Sequence, residues 1–362
     1  MSAGTPVPES RSLTVLVTLK ENDLSEIASF IAAQSGRTRE LVEQHLRWFL
    51  LENPARCPED VLGFGLRAAD QLVGCILCVP QVFRAGSERV ILLGSSSFYV
   101  DQLHRGHGGR IFLKYCRLAN QRALFGTSAN AGAAALWKAA GASPIPYSDA
   151  ELFGVLRWAP VVEEVIHRKY ANRLLSSLAG SPIVNAARLL RPLKIDQGES
   201  DALQLLASAE EANDLPIHDP SVKLTAMRNL AYLRWRYFSG RDSTVSAYAF
   251  RCRHPKHDVL VTVNQRVRGY RGQINTLNVL DVYPEASPEE WLRILGALIA
   301  RYRRKIDAIV LRGQNPDQQK LLTGKGFQRR TFEAPTGWFL DKTNSLSTHD
   351  WYPVPADGDG LI

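Results

Sequence analysis

The sequence predicts a two-domain α/β protein with mixed sheets, and three observations support this. The chain has 362 residues, and a typical domain has about 150, so the length favours two domains. Hydrophobic residues make up 45% and charged residues 22% of the chain, which excludes a disordered, collagen-like or coiled-coil protein. Runs with strand and helix periodicity alternate, and the same order of elements occurs twice, which predicts a duplicated architecture.

The first half begins with a tail and continues with strands and helices. Residues 1–11 are small and polar with two prolines, which predicts a disordered tail. Asn22 or Asp23 can cap a helix whose apolar residues recur three and four apart, and a hairpin turns near Ala69-Asp70. The predicted order is a strand at 12–19, helices near 24–31 and 38–49, a hairpin at 61–83, a strand at 91–100, a helix at 109–121, a strand at 123–128, a helix at 130–141 and a strand near 149–158 that closes this half.

The second half follows a predicted helical linker at 160–200 and repeats this order. The expected domains are therefore 12–159 and 201–342, followed by an irregular tail at 343–362 that carries two Asp-Gly steps. The predicted elements are helical material at 201–238, strands near 243–252, 258–267 and 273–282, a helix at 288–304, a strand at 306–312, a short helix at 315–324 and a final strand near 328–341.

Charge and cysteine content limit the functions that the chain can have. The formal net charge is +8, which suits nucleic acid, a phosphate-bearing cofactor or an acidic substrate without choosing between them. Five cysteines are too few for a disulfide framework. The sequence begins without an apolar signal segment and contains no apolar run of ~18 residues, so we expect a cytoplasmic chain without a membrane span.

The segment 100–113 is the part of the sequence that indicates chemistry, because a predicted strand ends there and an amphipathic helix begins. The first N–H groups of a helix lack intrahelical partners, and the helix dipole places positive charge there, which favours phosphate. Neither a dinucleotide fingerprint nor a Walker loop fits the glycine spacing. The glycines that allow close approach to a ligand are Gly106, Gly108 and Gly109, and the nearby cations are Arg105, Arg110 and His104 or His107.

This pattern resembles the pyrophosphate loop of the GNAT (GCN5-related N-acetyltransferase) superfamily. The loop motif is R-G-x-G-x-x with a valine five residues before the arginine and a leucine eight after it, as in Val100, Arg105 and Leu113. The family's downstream asparagine, small residues and helix-ending glycine match the segment from Asn130 to Gly141. The resemblance implies two tandem GNAT-like folds, each with a central, mixed, mostly antiparallel sheet flanked by helices.

The second copy is expected to be degenerate. Its long strand leads into the segment 282–291, which contains no glycine and places Glu285, Glu289 and Glu290 at a helix start. Carboxylates at that position satisfy the helix dipole and would repel a pyrophosphate.

The resemblance implies acetyl-CoA or another acyl-CoA as the co-substrate. Backbone amides at 106–110 would bind its pyrophosphate, and the edge of the strand at 95–100 would pair with its pantetheine arm. An amine or hydroxyl of a small-molecule or sugar-like acceptor, held between the halves, would attack the acyl carbonyl while a backbone N–H polarises it. The implied cofactor-binding residues are Val100, Arg105, Gly106, His107, Gly108, Gly109, Arg110, Asn130 and Trp137.

Three positions depart from the family pattern. Arg110 replaces a glycine or alanine and would either crowd the phosphates or bind them, and Gln102 replaces a common proline. Trp137 stands where a tyrosine often protonates the departing thiolate, and an indole N–H has no usable acidity. Tyrosine or water can take that role, and an asparagine can orient the ligand. The candidate catalytic residues are Asn130, Tyr99 and Tyr147.

Several candidates have simpler alternatives. Asn130 also suits a helix cap. Cys75 and Cys78 have redox or zinc spacing, but residues three apart in a strand point to opposite faces, which favours core packing. No second Cys pair follows, and no carboxylate or cysteine lies at ligand spacing near His104 and His107, so we expect no metal. Trp235 and Arg236 either form a substrate-binding patch for a sugar, or Trp235 belongs to the core.

The sequence therefore predicts an acyl-CoA-dependent acyltransferase, most simply an N-acetyltransferase. An alternative enzyme is a FemAB-like aminoacyl transferase that uses aminoacyl-tRNA, since such proteins duplicate this fold. The alternative outside enzymes is a non-catalytic GNAT-like binding protein. The cations that end the helix at 288–304 complement its dipole, so nucleic-acid binding is disfavoured.

Overall fold

The computed structural model describes most of the chain. The described residues are 13–171, 193–196, 198, 200–213, 215, 224–239, 247–253, 258–269, 273–343, 345–348 and 351, with the backbone alone described at 165–171, 200 and 247. The predicted tail at 1–11, most of the tail at 343–362 and much of the predicted linker at 160–200 lie outside these residues.

The strands described are long in the middle of each half and short at its ends. In chain order they are β1 (Thr14–Leu19), β2 (Gly63–Ala68), β3 (Gln71–Ala85), β4 (Glu88–Val100), β5 (Leu124–Gly126), β6 (Ser143–Pro144), β7 (Ala150–Val155), β8 (Leu203–Leu205), β9 (Leu224–Ala226), β10 (Ala247–Cys252), β11 (Val259–Arg268), β12 (Ile274–Tyr283), β13 (Ala308–Arg312), β14 (Gln328–Thr331) and β15 (Trp338–Leu340).

The helices begin mostly at polar caps, since Ser, Thr and Asn side chains accept N–H groups of the first turn. In α1 the predicted apolar face, which includes Leu24, Ile27 and Ile31, is buried, and the helix ends at Gly36 with φ +70°. The helices are α1 (Leu24–Ser35), α2 (Arg39–Leu46), α3 (Gly108–Cys116), α4 (Ala131–Ala139), α5 (Trp158–Ala171), α6 (Leu230–Leu233), α7 (Pro288–Tyr302) and α8 (Pro316–Gly324).

The strands form two mixed sheets. The first has the order β1-β2-β3-β4-β5-β15-β6, with β9 also paired to β3, and the second has the order β14-β7-β13-β12-β11-β10-β8. The pairs β4–β5 and β12–β13 are parallel, whereas the other strand pairs described in both sheets are antiparallel. The prediction of mixed, mostly antiparallel sheets is confirmed.

Each sheet contains a strand from the other half of the chain. β7 pairs with β13 and β14 in the second sheet, and β15 pairs with β5 and β6 in the first. The expectation that the strand near 149–158 closes the first half is therefore wrong, as is the assignment of 338–340 to the second sheet. All six residues of β7 are buried, and an apolar run identifies a buried strand without identifying its partner. The domain bounds as a whole stay a prediction.

Two Leu-Arg-Trp segments, 46–48 and 233–235, pair with each other where the two halves meet. The indole Nε1 of Trp48 donates to the carbonyl oxygen of Trp235 at 2.7 Å, and the indole Nε1 of Trp235 donates to the carbonyl oxygen of Trp48 at 2.8 Å. In each segment the leucine ends a helix, α2 or α6, and the arginine and tryptophan begin the π-helical turn that follows it. This reciprocity indicates an approximate twofold relation between the halves, as a duplicated chain would have.

One buried ion pair joins the two sheets, and a second buried carboxylate is paired within the second sheet. Arg228, which follows β9, donates from Nε to Oδ2 of Asp281 in β12 at 2.9 Å, and both side chains are almost fully buried. Glu151 of β7 accepts hydrogen bonds from Arg268 and Arg312. Burial alone would raise the pKa of Glu151, but these two arginines outweigh it and lower that pKa.

Candidate functional site

A cleft opens where β4 and β5 diverge. The two strands pair only at Leu93–Leu124 and Gly94–Phe125, whereas β4 continues to Val100. The resulting cleft has a volume of about 1070 Å³. Most of the described residues that line it come from 95–100 of β4, from the loop at 105–109 and from 126–137, and all of them belong to the first half of the chain.

The glycine-rich loop places the start of α3 at one end of this cleft. Gly106, Gly108 and Gly109 line it, and His107 occupies the N-cap position of α3 without a side-chain hydrogen bond to the helix. A 3₁₀ turn at Gln102–His107 leads directly into α3, and the N–H of Gly108 donates to the carbonyl oxygen of Arg105. No side chain caps the start of α3, where the helix dipole favours an anion. Side chains built at Gly106 or Gly109 would meet no atom within 4 Å.

The cations near the loop differ in their placement. Arg105 lines the cleft. Arg110 instead donates from Nη1 to the hydroxyl of Thr14 at 2.8 Å, so its side chain turns toward β1, and neither Arg110 nor His107 is among the lining residues. The structure thus shows Arg110 neither crowding nor facing the proposed phosphate position.

Trp137 lines the cleft and also belongs to the core behind it. Its side chain is 2% exposed and packs edge-on against Phe112 and Tyr115, with ring centroids 5.1 and 6.0 Å away. A Cβ atom on Gly126 would lie 3.1 Å from the Trp137 ring and 2.8 Å from the hydroxyl of Ser95. The strand therefore needs glycine at position 126, and Trp137 acts as a wall of the cleft.

Two of the three candidate catalytic residues lie at the cleft. Asn130 and Tyr99 line it, whereas Tyr147 does not; Tyr147 occupies a turn with φ +59° before β7. Asn130 also caps α4, since its Oδ1 accepts the N–H of Ala133 at 2.9 Å. The preceding residue, Ala129, donates its N–H to the carbonyl of Thr336 at 2.9 Å, so a segment from the second half supports this side of the cleft.

The proposed substrate-binding pair is buried in the core. Trp235 and Arg236 are 5% and 3% exposed, and neither is among the residues lining the cleft. The guanidinium of Arg236 lies over the rings of Trp48, Phe49 and Trp235 at 5.5–5.9 Å. The structure favours the core alternative for Trp235, and the exposed patch predicted as its rival is not formed.

Several cleft residues were not singled out by the sequence. Gln34, Ser128 and three consecutive serines of β4 line the cleft. The last of these serines, Ser97, lies in a bulge: the β3–β4 register shifts between the pairs Leu77–Ser96 and Cys75–Tyr99, and Ser97 has φ +48°. The sequence did carry two signals for a polar site where a ligand can approach the backbone closely. These are three serines in one strand-like run and a glycine inside the next strand.

The matching helix start in the second half carries its own acid group. Ser287 and Glu290 form a reciprocal cap at the start of α7, with the N–H of Ser287 donating to Glu290 Oε2 at 2.7 Å. Glu285 accepts a hydrogen bond from Asn315 Nδ2 at 3.3 Å. A carboxylate therefore occupies the position that the first half leaves to a ligand, in keeping with a degenerate copy.

The Cys75–Cys78 pair belongs to the core, and the described residues contain neither a metal-binding cluster nor a membrane-spanning helix. Burial raises the pKa of both Cys75 and Cys78 to about 12, so both thiols stay protonated in the core. In the described part of the chain, no group of three His, Cys, Asp or Glu residues is placed to hold a metal. None of the helices within the described ranges is long and apolar enough to cross a membrane.

Comparison with known proteins identifies the fold. No family profile matches the chain, and no similar sequence is found among curated proteins. Among solved structures, a probable N-acyltransferase from Enterococcus faecalis V583 is similar with TM-score 0.55 and 10% identity, over 91% of this chain and 72% of that one. Saccharomyces cerevisiae N-myristoyltransferase with bound myristoyl-CoA is similar with TM-score 0.53 and 10% identity, over 93% of this chain and 83% of that one. The chain has the GNAT fold of these acyltransferases, and that prediction is confirmed.

Proposed function

We propose that the chain is an acyl-CoA-dependent acyltransferase, in its simplest form an N-acetyltransferase. The observation that carries this proposal is that two features meet in one cleft. They are the edge of β4 that is not paired with β5 beyond Gly94, and the start of α3, which no side chain caps. Together they suit a ligand with a diphosphate at one end and a chain of amides at the other. The solved structures that share the fold add support, since one holds myristoyl-CoA.

The chemistry follows from where each group lies along the cleft. Amides at 106–109 and the Arg105 side chain would bind the diphosphate, and the β4 edge at 95–100 would pair with the pantetheine amides. The thioester then lies toward Ser95, where an amine or hydroxyl of a small-molecule or sugar-like acceptor would attack its carbonyl directly. The new C–N or C–O bond forms as the C–S bond breaks, and the acceptor loses one proton while the thiolate gains one.

Tyr99 is the proposed source of the proton for the departing thiolate, and water in the cleft would relay that proton, because four residues of strand, about 13 Å, separate Tyr99 from Ser95. It lines the cleft, and its phenol can donate a proton, which the indole of Trp137 cannot do. Replacing Tyr99 with Phe should lower kcat while leaving the dissociation constant of acetyl-CoA unchanged. Equal kcat values for both proteins would assign that proton to water.

Thermal denaturation with acetyl-CoA tests the proposal, using two matched glycine variants. A ligand at 100 times its Kd should add about 2.7 kcal/mol of stability. Gly109→Glu places a negative side chain at the loop, where open space keeps the fold intact, and should abolish this gain. Gly324→Glu makes the same change in α8, also in open space, and should retain it.

The alternatives predict different results in this experiment. If the wild type is not stabilised by acetyl-CoA or free CoA, the loop is not a diphosphate site, and the FemAB-like or non-catalytic alternative is favoured. Stabilisation that survives in Gly109→Glu would place the ligand elsewhere. Binding without release of CoA thiol, across a panel of amines and hydroxyl compounds, would indicate a binding protein.

A further inference from the structure

We infer that the second half binds a compact anion, a carboxylate or a phosphate group, on the face of its sheet that is turned away from α7 and α8. The site is a chain of hydrogen-bonded side chains that runs from Asn264 to Arg312 and presents a donor at each end. None of these side chains is among those that line the cleft, so the inference is independent of the proposed function.

Strand alternation places this chain on one face of the second sheet. Apolar residues of β7, β11, β12 and β13 pack in one core cluster with the buried face of α7 and with Leu322 of α8. Because side chains alternate along a strand, the residues next to them point to the opposite face. The polar residues on that face include Glu151 in β7, Asn264 and Arg268 in β11, Asn278 in β12 and Arg312 in β13.

The orientation of both amides in the chain is fixed by Arg268, because a guanidinium can only donate. Its Nη2 donates to Oδ1 of Asn278 at 2.8 Å, so Nδ2 of Asn278 points the other way and donates to Oδ1 of Asn264 at 2.9 Å. Asn264 is fully buried, and within the described residues its Nδ2 has no hydrogen-bond partner. A buried donor of this kind is costly unless an acceptor is bound to it. A water molecule can satisfy Asn264 by itself, but it cannot balance the charge at the other end of the chain.

At that other end, two guanidiniums share one carboxylate. Nη1 of Arg268 donates to both oxygens of Glu151 at 3.3 Å, and Nη2 of Arg312 donates to Oε2 at 3.0 Å. Burial opposes the ionisation of Glu151, but the two arginines outweigh it and lower its pKa, so the carboxylate is charged. One positive charge therefore remains, and Arg312, whose side chain is 40% exposed, presents it to solvent.

Arg330 adds a third guanidinium to the same surface. It lies directly opposite Glu151 in the pairing of β14 with β7, so both side chains share a face. Its Cζ lies 3.6 Å from the ring centroid of Phe153 on that face. On the side of α5, the carboxylate of Glu164 lies against Gly269, just after β11. Three guanidiniums thus face two carboxylates, and the excess charge is still positive.

The geometry of these arginines suits one compact anion. A guanidinium offers N–H groups in a plane, which match two oxygens of a carboxylate or a phosphate. Arg312 uses Nε and Nη2 for Glu151, so the N–H groups of its Nη1 are the ones that would bind the ligand. A single carboxylate or phosphate group on a small molecule supplies both the acceptors and the negative charge that this surface needs.

Titration calorimetry of the full chain with inorganic phosphate and with citrate tests this inference. The titrations use the Gly109→Glu variant, so that an anion bound at the start of α3 does not contribute. We expect saturable binding of one anion per chain, and the tighter of the two ligands identifies the group as a phosphate or a carboxylate. Absence of saturable binding of both anions would overturn the inference, whereas the proposed function depends on CoA binding to the wild type.

Two arginine variants in the same background form a matched pair. Arg329 is 39% exposed and also pairs with a carboxylate, but it points toward α8, where its Nε donates to Gln319. Arg312→Gln should weaken anion binding about tenfold or more, since charge-assisted hydrogen bonds are lost. Arg329→Gln removes the same charge from the other face and should change binding by less than about twofold.

A third variant separates the site from a loss of folding. Arg312→Lys keeps the positive charge but loses the planar fork of N–H groups, so it should bind the anion with an affinity between those of Arg312→Gln and the parent protein. Circular dichroism checks that all variants are folded. Equal affinities in folded Arg312→Gln and the parent protein, or equal losses in Arg312→Gln and Arg329→Gln, would overturn the assignment of this face.

Discussion

The paired indoles between the halves allow one hydrogen bond to be measured against a matched control. In Trp235→Phe, the carbonyl oxygen of Trp48 loses the indole N–H that donates to it at 2.8 Å. Trp291 in α7 is buried to a similar degree, with 3% exposure against 5% for Trp235. Within the described part of the chain, its Nε1 has no hydrogen-bond partner. The two Trp→Phe changes thus remove the same ring atoms but different hydrogen bonding.

The size of the difference follows from the cost of unpaired polar groups. Leaving the buried carbonyl of Trp48 unsatisfied costs about 1–3 kcal/mol. Removing the unpaired donor of Trp291 relieves a penalty of the same kind, which offsets part of its packing loss. We therefore expect Trp235→Phe to lower the free energy of unfolding by at least about 2 kcal/mol more than Trp291→Phe does.

Urea unfolding followed by circular dichroism measures both variants. The comparison is valid if the slope of free energy against urea concentration stays the same, since that slope reports the surface exposed on unfolding. Equal destabilisation by the two changes, or a larger loss in Trp291→Phe, would refute the role assigned to the indole pair.

Three further predictions concern single positions. Asn130→Ala should lower the free energy of unfolding by about 1 kcal/mol through loss of the α4 cap, and Asn130→Ser should preserve it; a Ser variant that is stable but inactive in thiol release would assign Asn130 a role beyond capping. Gly94→Ala should lower the melting temperature because its methyl would lie 2.9 Å from the Phe125 ring, whereas Gly132→Ala, within α4, should raise it; a neutral Gly94 variant would contradict the tight contact. The pKa of Glu151 is lowered in the folded state by its two arginines, which outweigh burial, so its stabilising effect is present above about pH 4.3 and is lost as pH falls through the folded pKa. The urea midpoint should therefore fall less between pH 7 and pH 3 in Glu151→Gln than in the wild type, and an equal fall would exclude this linkage.

Local patterns predicted most of the elements, but not how the strands combine. The spacing of apolar residues in α1 and the asparagine before α4 identify helices, because periodicity and capping depend on neighbours in sequence. The exchange of β7 and β15 depends on contacts between residues about 150–220 positions apart, such as Glu151 with Arg312. The repeated Leu-Arg-Trp at 46–48 and 233–235 was visible in the sequence and would have indicated the twofold relation.

In the candidate site too, local features were predictable from the sequence and long-range contacts were not. The glycines at the start of α3 are informative because a glycine-rich helix start without a side-chain cap has a local sequence signature. The orientation of the side chains around it depends on residues distant in sequence. Arg110, for example, turns toward Thr14 in β1, 96 residues earlier in the chain. Trp235 has an aromatic and arginine-rich neighbourhood that fits either a binding patch or a core, and only its tertiary partner Trp48 decides between them.

The stoichiometry of CoA binding tests the central claim most directly. In the first half no side chain caps the start of α3, which lies beside an unpaired strand edge, while Glu290 takes part in the cap of α7 at the equivalent place in the second half. Calorimetric titration of the full chain with CoA should therefore give one site per chain, and Gly109→Glu should remove it. Two equivalent sites, or no heat of binding under conditions where the protein is folded, would contradict this account of the fold's function.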